Sequence, residues 1–180
     1  MSDTGDITVR VLGPDDWADF KSVRLEALGD SPEAFSATHD EEAAFDEPTW
    51  RARLERSPRF LASRDGTVVG TASLGVHESD DDFHDSGEIF GLWVTPRARG
   101  TGVATALAAA AAKQAQRDGR SHIVYWVSTD NGRAVAFASG LGFRPTDSRR
   151  PMRGSHHRGE EEIAMILALG EDRGMMARID

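Results

Sequence analysis

One stretch constrains this chain more than any other. Glu88 to Val94 (EIFGLWV) is apolar and strand-like, and Thr95-Pro96 stops it. Arg97-Ala98-Arg99-Gly100-Thr101-Gly102 then turns the chain into a helical pattern from about Thr101 to Asp118, ended by Gly119. The first N–H groups of a helix have no internal partner, and the helix dipole places about half a positive charge there. Two glycines let that backbone approach an anion closely, so the turn suits a pyrophosphate. Three patterns compete for it. A Walker-type loop requires GxxxxGK[ST], and this turn has no lysine. A dinucleotide fingerprint begins correctly at Gly100 and Gly102. It then meets Thr105 in place of a third glycine, and His122 where a ribose-binding acid belongs. The third pattern is R-x-x-G-x-G at Arg97, Gly100 and Gly102.

Composition narrows the classes further. The 180 residues make one domain, able to bury roughly 70% of its unfolded surface. A net charge of -9 argues against broad nucleic-acid binding but not against a small anion held by backbone N–H groups. With no cysteine, disulfide scaffolds, thiolate zinc sites, iron–sulfur clusters and cysteine nucleophiles are excluded. The N-terminus carries no targeting pattern, and no apolar run reaches the ~20 residues of a membrane span. The default expectation is a soluble cytoplasmic protein without membrane or nucleic-acid partners.

Periodicity supplies the remaining elements. Strands are expected at Ile7–Leu12, Phe60–Arg64, Thr67–Val76, Ser121–Ser128 and Glu161–Leu169, with a further strand after Phe143. The Asp65-Gly66 turn joins two of them as a hairpin. A helix runs from Asp15-Asp16 to about Leu28, with Trp17, Phe20, Val23, Leu25 and Leu28 as its apolar stripe. Residues 30–58 form a less regular helical region, with Pro32 and Pro48 as starts. Seven alanines within Val103–Ala112 let that helix lie close on a sheet. A short helix follows at Asn131–Ser139. Hairpin-joined strands followed by βα units predict an α/β (α+β) fold in a single domain. Its sheet is mixed, mostly antiparallel and twisted, of about seven strands, with helices on both faces. The domain is expected over 1–170, with a tail at 171–180.

The R-x-x-G-x-G turn, its preceding strand and its helix are joined by Asn131-Gly132-Arg133-Ala134 and Leu141-Gly142-Phe143-Arg144-Pro145. Arg24-Leu25-Glu26-Ala27-Leu28 and Ser31-Pro32-Glu33-Ala34-Phe35 add a bacterial flavour. Together they make the chain, from Ile7 to Leu169, resemble the GNAT superfamily of N-acetyltransferases. The resemblance implies acetyl-CoA as cosubstrate, no metal, a small-molecule or peptide amine as acceptor, and by analogy alone a homodimer. The pyrophosphate cradle then falls on the backbone of Arg99, Gly100, Thr101, Gly102, Val103 and Ala104. The pantetheine arm falls beside Leu92, Trp93 and Val94, where two central strands splay apart. Asn131 and Phe137 line the far wall, and Phe35 either lines the acceptor pocket or belongs to the core.

An alkylamine is only about 0.04% neutral at pH 7, so a base must take its proton before it attacks a thioester. The resemblance makes Glu88 that base; a solvated carboxylate at the end of an acidic loop is the plainer alternative. A period of two puts Glu88, Phe90, Leu92 and Val94 on one face. The resemblance also makes the Leu92 N–H the oxyanion donor. Ala138 stands where many members carry a tyrosine acid, and Tyr125, the only tyrosine, lies in a strand. That departure keeps an acyl-CoA-binding sensor with little activity as the alternative function; a nucleotide-dependent oxidoreductase is disfavoured by the broken fingerprint. Trp93 and Trp126 are expected on neighbouring strands, as sheet packing or acceptor contacts. Residues 144–160, with Arg144, Arg149, Arg150, Arg153, Arg158 and His156-His157, read as a basic loop. Acids concentrate at 26–47 and 78–88, a weak hint of a cationic acceptor.

Overall fold

Alternating apolar and polar residues set the strands, and glycine or proline ends most of them. The computed structural model describes residues 5–78, 83, 85–153 and 159–170. The chain begins with β1 (Ile7–Val11), a 3-10 turn at Pro14–Asp16 and α1 (Trp17–Asp30). Pro32 starts only a 3-10 turn, Pro32–Ala34, before α2 (His39–Ala43) and α3 (Glu47–Arg56). Thr38 and Glu41 cap α2 reciprocally, each side chain accepting the other's backbone N–H. At α3, the Asp46 carboxylate accepts the Thr49 N–H, and Pro48 occupies the first turn, where no N–H is needed. Next come β2 (Arg59–Arg64), β3 (Thr67–Val76) and β4 (Gly87–Val94). A 3-10 turn at Pro96–Ala98 leads to α4 (Val103–Arg117), and β5 (His122–Ser128), α5 (Gly132–Gly140), β6 (Arg144–Pro151) and β7 (Glu161–Ala168) follow.

The seven strands form one sheet in the order β1-β2-β3-β4-β5-β7-β6. Every pairing is antiparallel except β4 with β5. The mixed, mostly antiparallel sheet with helices on both faces is therefore as expected. On one face α4 lies close, because Ala108, Ala111 and Ala115 present only methyl groups to Ile89, Ile123 and their neighbours. On the other, α1 and α3 bury Phe20, Val23, Leu28, Trp50 and Leu54 against Leu61 and Trp93. Each such large apolar side chain contributes about 1.5–3 kcal/mol on burial.

Two expectations need correction. Arg144, Arg149 and Arg150 lie in the edge strand β6, not in a loop. Their strand has arginines and two prolines where a central strand would have apolar residues, which is how sheets protect an edge. His156, His157, Arg158, the tail at 171–180 and most of the acidic run at 78–85 lie outside the described residues. The second correction is to β4. Ser73 faces Phe90, but Thr71 faces Trp93, so β4 uses three steps where β3 uses two. Gly91 absorbs the extra residue at a φ of 62°. This bulge reverses the faces: Leu92 and Val94 pack with Ile89 on the α4 side, whereas Trp93 joins the α1 side. Glu88 and Phe90 therefore do not share a face with Leu92 and Val94.

Candidate functional site

The bulge coincides with an opening in the sheet. β4 and β5 pair only from Gly87–Ile89 to Ile123–Tyr125. Beyond Ile89, β4 continues on β3 to Val94, while β5 continues on β7 to Ser128. The two strands part, and among the described residues the β4 edge from Phe90 onward has no strand partner on the β5 side. Such an edge offers unpaired N–H and C=O groups to an extended ligand. Leu92, Trp93 and Val94 carry that edge.

The N-terminus of α4 lies at the wide end. Val103 packs at Gly70, which pairs with Val94, whereas Ala115 packs at Gly87 where the strands still touch. Gly100 and Gly102 both hold left-handed backbone, at φ of 77° and 95°, and Gly102 caps the helix with no side-chain bond to it. The first intrahelical bond there runs from the Ala106 N–H to the Gly102 carbonyl. The N–H groups of Val103 and Ala104 are thus left to a ligand, as a pyrophosphate cradle requires. Thr101 is held from below: the Arg64 guanidinium donates to its hydroxyl at 3.1 Å and its carbonyl at 3.3 Å. Arg64 is buried in β2, and nothing in the sequence marked it.

Arg99 turns away from the cradle. Its Nε donates to the Val94 carbonyl at 3.0 Å, and its Nη2 pairs with Asp30 at 2.7 Å. Asp30 also accepts the Trp93 indole N–H at 3.0 Å. The indole bond foremost, with Ser31 and Arg99, holds the Asp30 carboxyl below its ordinary range. Trp93 therefore meets the opening with its backbone only. Asn131 sits where β5 ends, capping α5 by accepting the Ala134 N–H at 3.1 Å, and Phe137 is half-buried on that helix. Phe35 is buried in the α1-side core, beneath the Arg24 guanidinium at 4.9 Å.

Glu88 lies at the narrow end, on the face opposite α4. The Trp126 indole N–H donates to its Oε1 at 2.7 Å, and His77 Nδ1 stands 3.4 Å from the same oxygen. His77 is buried, and the Glu88 side chain is 19% exposed. Oε2 has no hydrogen-bond partner among the described residues, so one oxygen is anchored and the other remains to accept a proton. The sequence placed Trp126 beside β4 but did not connect it or His77 with Glu88. His77 and Glu88 meet diagonally across β3 and β4, a register no motif encodes. Tyr125 packs edge-on against Phe143, and burial, with Glu162 nearby, pushes its phenol up to about 12. Ala138 is fully buried, with no hydroxyl in that position. Among the described residues no cluster suited to a metal ion occurs, and no helix is long and apolar enough to cross a membrane.

The fold has counterparts among solved structures. The protein yncA from Salmonella typhimurium, solved with its cofactor acetyl-CoA, superposes with a TM-score of 0.72 at 24% identity, covering 92% of this chain and 95% of its own. A ribosomal-protein-alanine N-acetyltransferase from Brucella melitensis gives 0.72 at 21% identity, over 89% of this chain and 99% of its own. In sequence, the mycothiol acetyltransferase of Frankia casuarinae is 34% identical over 144 residues, 76% of this chain and 41% of that protein. The chain thus spans about half or less of the length of these curated relatives. The model of the acetyltransferase (GNAT) family matches residues 22–143, the stretch that holds the parted strands, the glycine turn and α5, and this chain belongs to that family.

Proposed function

We propose that this chain moves the acetyl group of acetyl-CoA to a primary amine by direct attack in a ternary complex. The observation that carries it is the parting of β4 and β5 beside an uncapped helix N-terminus. The pyrophosphate sits on the N–H groups from Arg99 to Ala104, and the pantetheine extends along Leu92, Trp93 and Val94. Asn131 and Phe137 close the β5 side. The amine nitrogen forms a bond to the acetyl carbon, the carbon–sulfur bond breaks, and CoA leaves as the thiolate. Glu88, directly or through water, takes the amine's proton, and the Leu92 N–H stabilises the oxyanion. A thiolate with a pKa near 8.5, by analogy with cysteine, leaves without an obligatory acid, which accommodates Ala138.

CoA release from acetyl-CoA, followed with a panel of amines, tests the proposal; turnover dependent on an amine is the expected result. Tight acetyl-CoA binding with no turnover on any amine would instead favour an acyl-CoA sensor, the second reading that Ala138 supports. The cradle has its own test. Valine at position 102 cannot hold a φ of 95° without strain of roughly 1–3 kcal/mol. Gly102→Val is expected to weaken CoA binding about tenfold or more by isothermal titration calorimetry. Unchanged affinity would place the pyrophosphate elsewhere.

A further inference from the structure

The α1 side of the opening holds a cluster of charge that the acetyl-transfer step does not use. Arg24 and Arg53 converge there on one carboxylate, Glu42, and Arg59 lies beside them. Arg24 grips Glu42 with two bonds, Nε to Oε1 at 3.0 Å and Nη2 to Oε2 at 2.9 Å, and Arg53 Nη1 reaches the same Oε1. All are largely withdrawn from water: the side chains of Arg24, Glu42 and Arg53 are 14%, 3% and 15% exposed, and Arg59 is 3% exposed.

Among the described residues Arg59 has no counter-ion of its own. Its guanidinium donates to the Ser73 hydroxyl at 2.7 Å and to the Arg53 carbonyl, both neutral acceptors. The Phe20 and Phe90 rings lie over it, at 5.2 and 4.9 Å. Burial and the neighbouring Arg53, Arg24 and Arg56 push it down to about 9, with only Glu42 opposing, and it remains charged at neutral pH. Burial raises the Glu42 carboxyl, yet Arg24 and Arg53 outweigh this and hold it below its ordinary value. Three guanidiniums against one carboxylate leave two positive charges in a partly dry site. Uncompensated buried charge is costly, and an anion that enters such a site relieves the cost.

The cluster also aims at the reaction centre. Arg24 Nη1, which has no hydrogen-bond partner among the described residues, stands 3.3 Å from where a Cβ on Gly91 would lie, and the Ser73 hydroxyl stands 3.7 Å from it. Gly91 is the bulge residue next to Leu92. Glu88 and Phe90 are on this same face of β4. Of the acids at 26–47, Glu42 is internal to the cluster, Asp30 is bound to Trp93 and Arg99, and Asp46 caps α3.

Resting on the acetyl-transfer reading, we infer that the acceptor carries a carboxylate close to its amine, as an α-amino acid does, and that Arg24 Nη1 binds that carboxylate beside Gly91. The short amine-to-carboxylate spacing follows from the closeness of Arg24 to the bulge, where the thioester lies. A cationic diamine, which the surplus of acidic residues suggested, is disfavoured by the two unpaired charges.

The test compares glycine, leucine, phenylalanine and glutamate with their α-amides and with 1,4-diaminobutane, in acetyl-CoA-dependent CoA release by the full chain. At least one amino acid is expected to exceed its amide roughly 30-fold in kcat/KM. Arg24→Gln is expected to collapse that ratio to within about threefold through KM, with Arg24→Lys recovering part of it. Amides or the diamine matching or surpassing every amino acid would overturn the inference, as would an unchanged ratio in Arg24→Gln. Calorimetry on the enzyme–CoA complex supplies a readout without turnover: N-acetylleucine is expected to bind at least tenfold more tightly than N-acetylleucinamide. No preference there, with CoA bound, overturns the carboxylate inference alone. Failure to bind CoA at all overturns the acetyl-transfer reading on which it rests.

Discussion

Glu88→Gln is expected to lower kcat/KM by about 100-fold or more, with little effect on the affinity for acetyl-CoA. General-base catalysis is worth about 10²–10⁴. Glutamine preserves the shape and can still accept the Trp126 indole N–H through its carbonyl oxygen, so the anchored oxygen is retained. What disappears is the proton-accepting oxygen, Oε2. The pH profile of kcat/KM, compared between parent and variant, supplies a second readout. Retention of kcat/KM within about threefold, with an unmoved profile, would remove Glu88 from the mechanism.

The largest expected loss of stability is at Trp50. It is fully buried under α1 and α3, edge-on to Phe20 at 5.6 Å and Phe45 at 5.9 Å, with Arg53 over its ring at 5.1 Å. Trp50→Ala opens a cavity at that junction and is expected to cost about 3–5 kcal/mol. For a chain of this size that lowers Tm by about 10 °C. Trp50→Phe separates packing from polarity. The indole N–H is buried without a partner among the described residues, and an unmet donor costs about 1–3 kcal/mol. Phenylalanine removes that donor as well as some volume, so its net effect is expected within about 1 kcal/mol of the parent. A drop as large as that of alanine, by thermal or denaturant unfolding, would show that the N–H is satisfied in solution.

How much of this was legible in the sequence depended on how local the cause was. β4, the Gly100–Gly102 turn and α4 are specified by neighbouring residues, and their bounds differ from the expected ones by one or two positions. Asn131 was readable as a helix cap because capping involves residues three apart. The bulge was readable only in outline. Gly91 inside a strand is a bulge signal, but a plain period of two carried Leu92 and Val94 onto the wrong face. The β6 arginines read as a loop in the sequence because an edge strand has no buried apolar alternation to announce it.

The chain order of residues determined the strand, the glycine turn, the helix and the family, because a helix end and a left-handed glycine are local facts of backbone chemistry. The same local signals left the acceptor side blank. Only tertiary structure brought His77 and Trp126 to Glu88, Arg64 to Thr101, Arg24 and Arg53 to Glu42, and Arg24 to Gly91. These groups are separated widely along the chain, and no periodicity couples them. Their electrostatics exist only once water has been excluded between them. The net charge of -9 is the clearest case: as a sum it hinted at a cationic partner, whereas the folded chain buries Arg24, Arg53 and Arg59 together around the single carboxylate of Glu42.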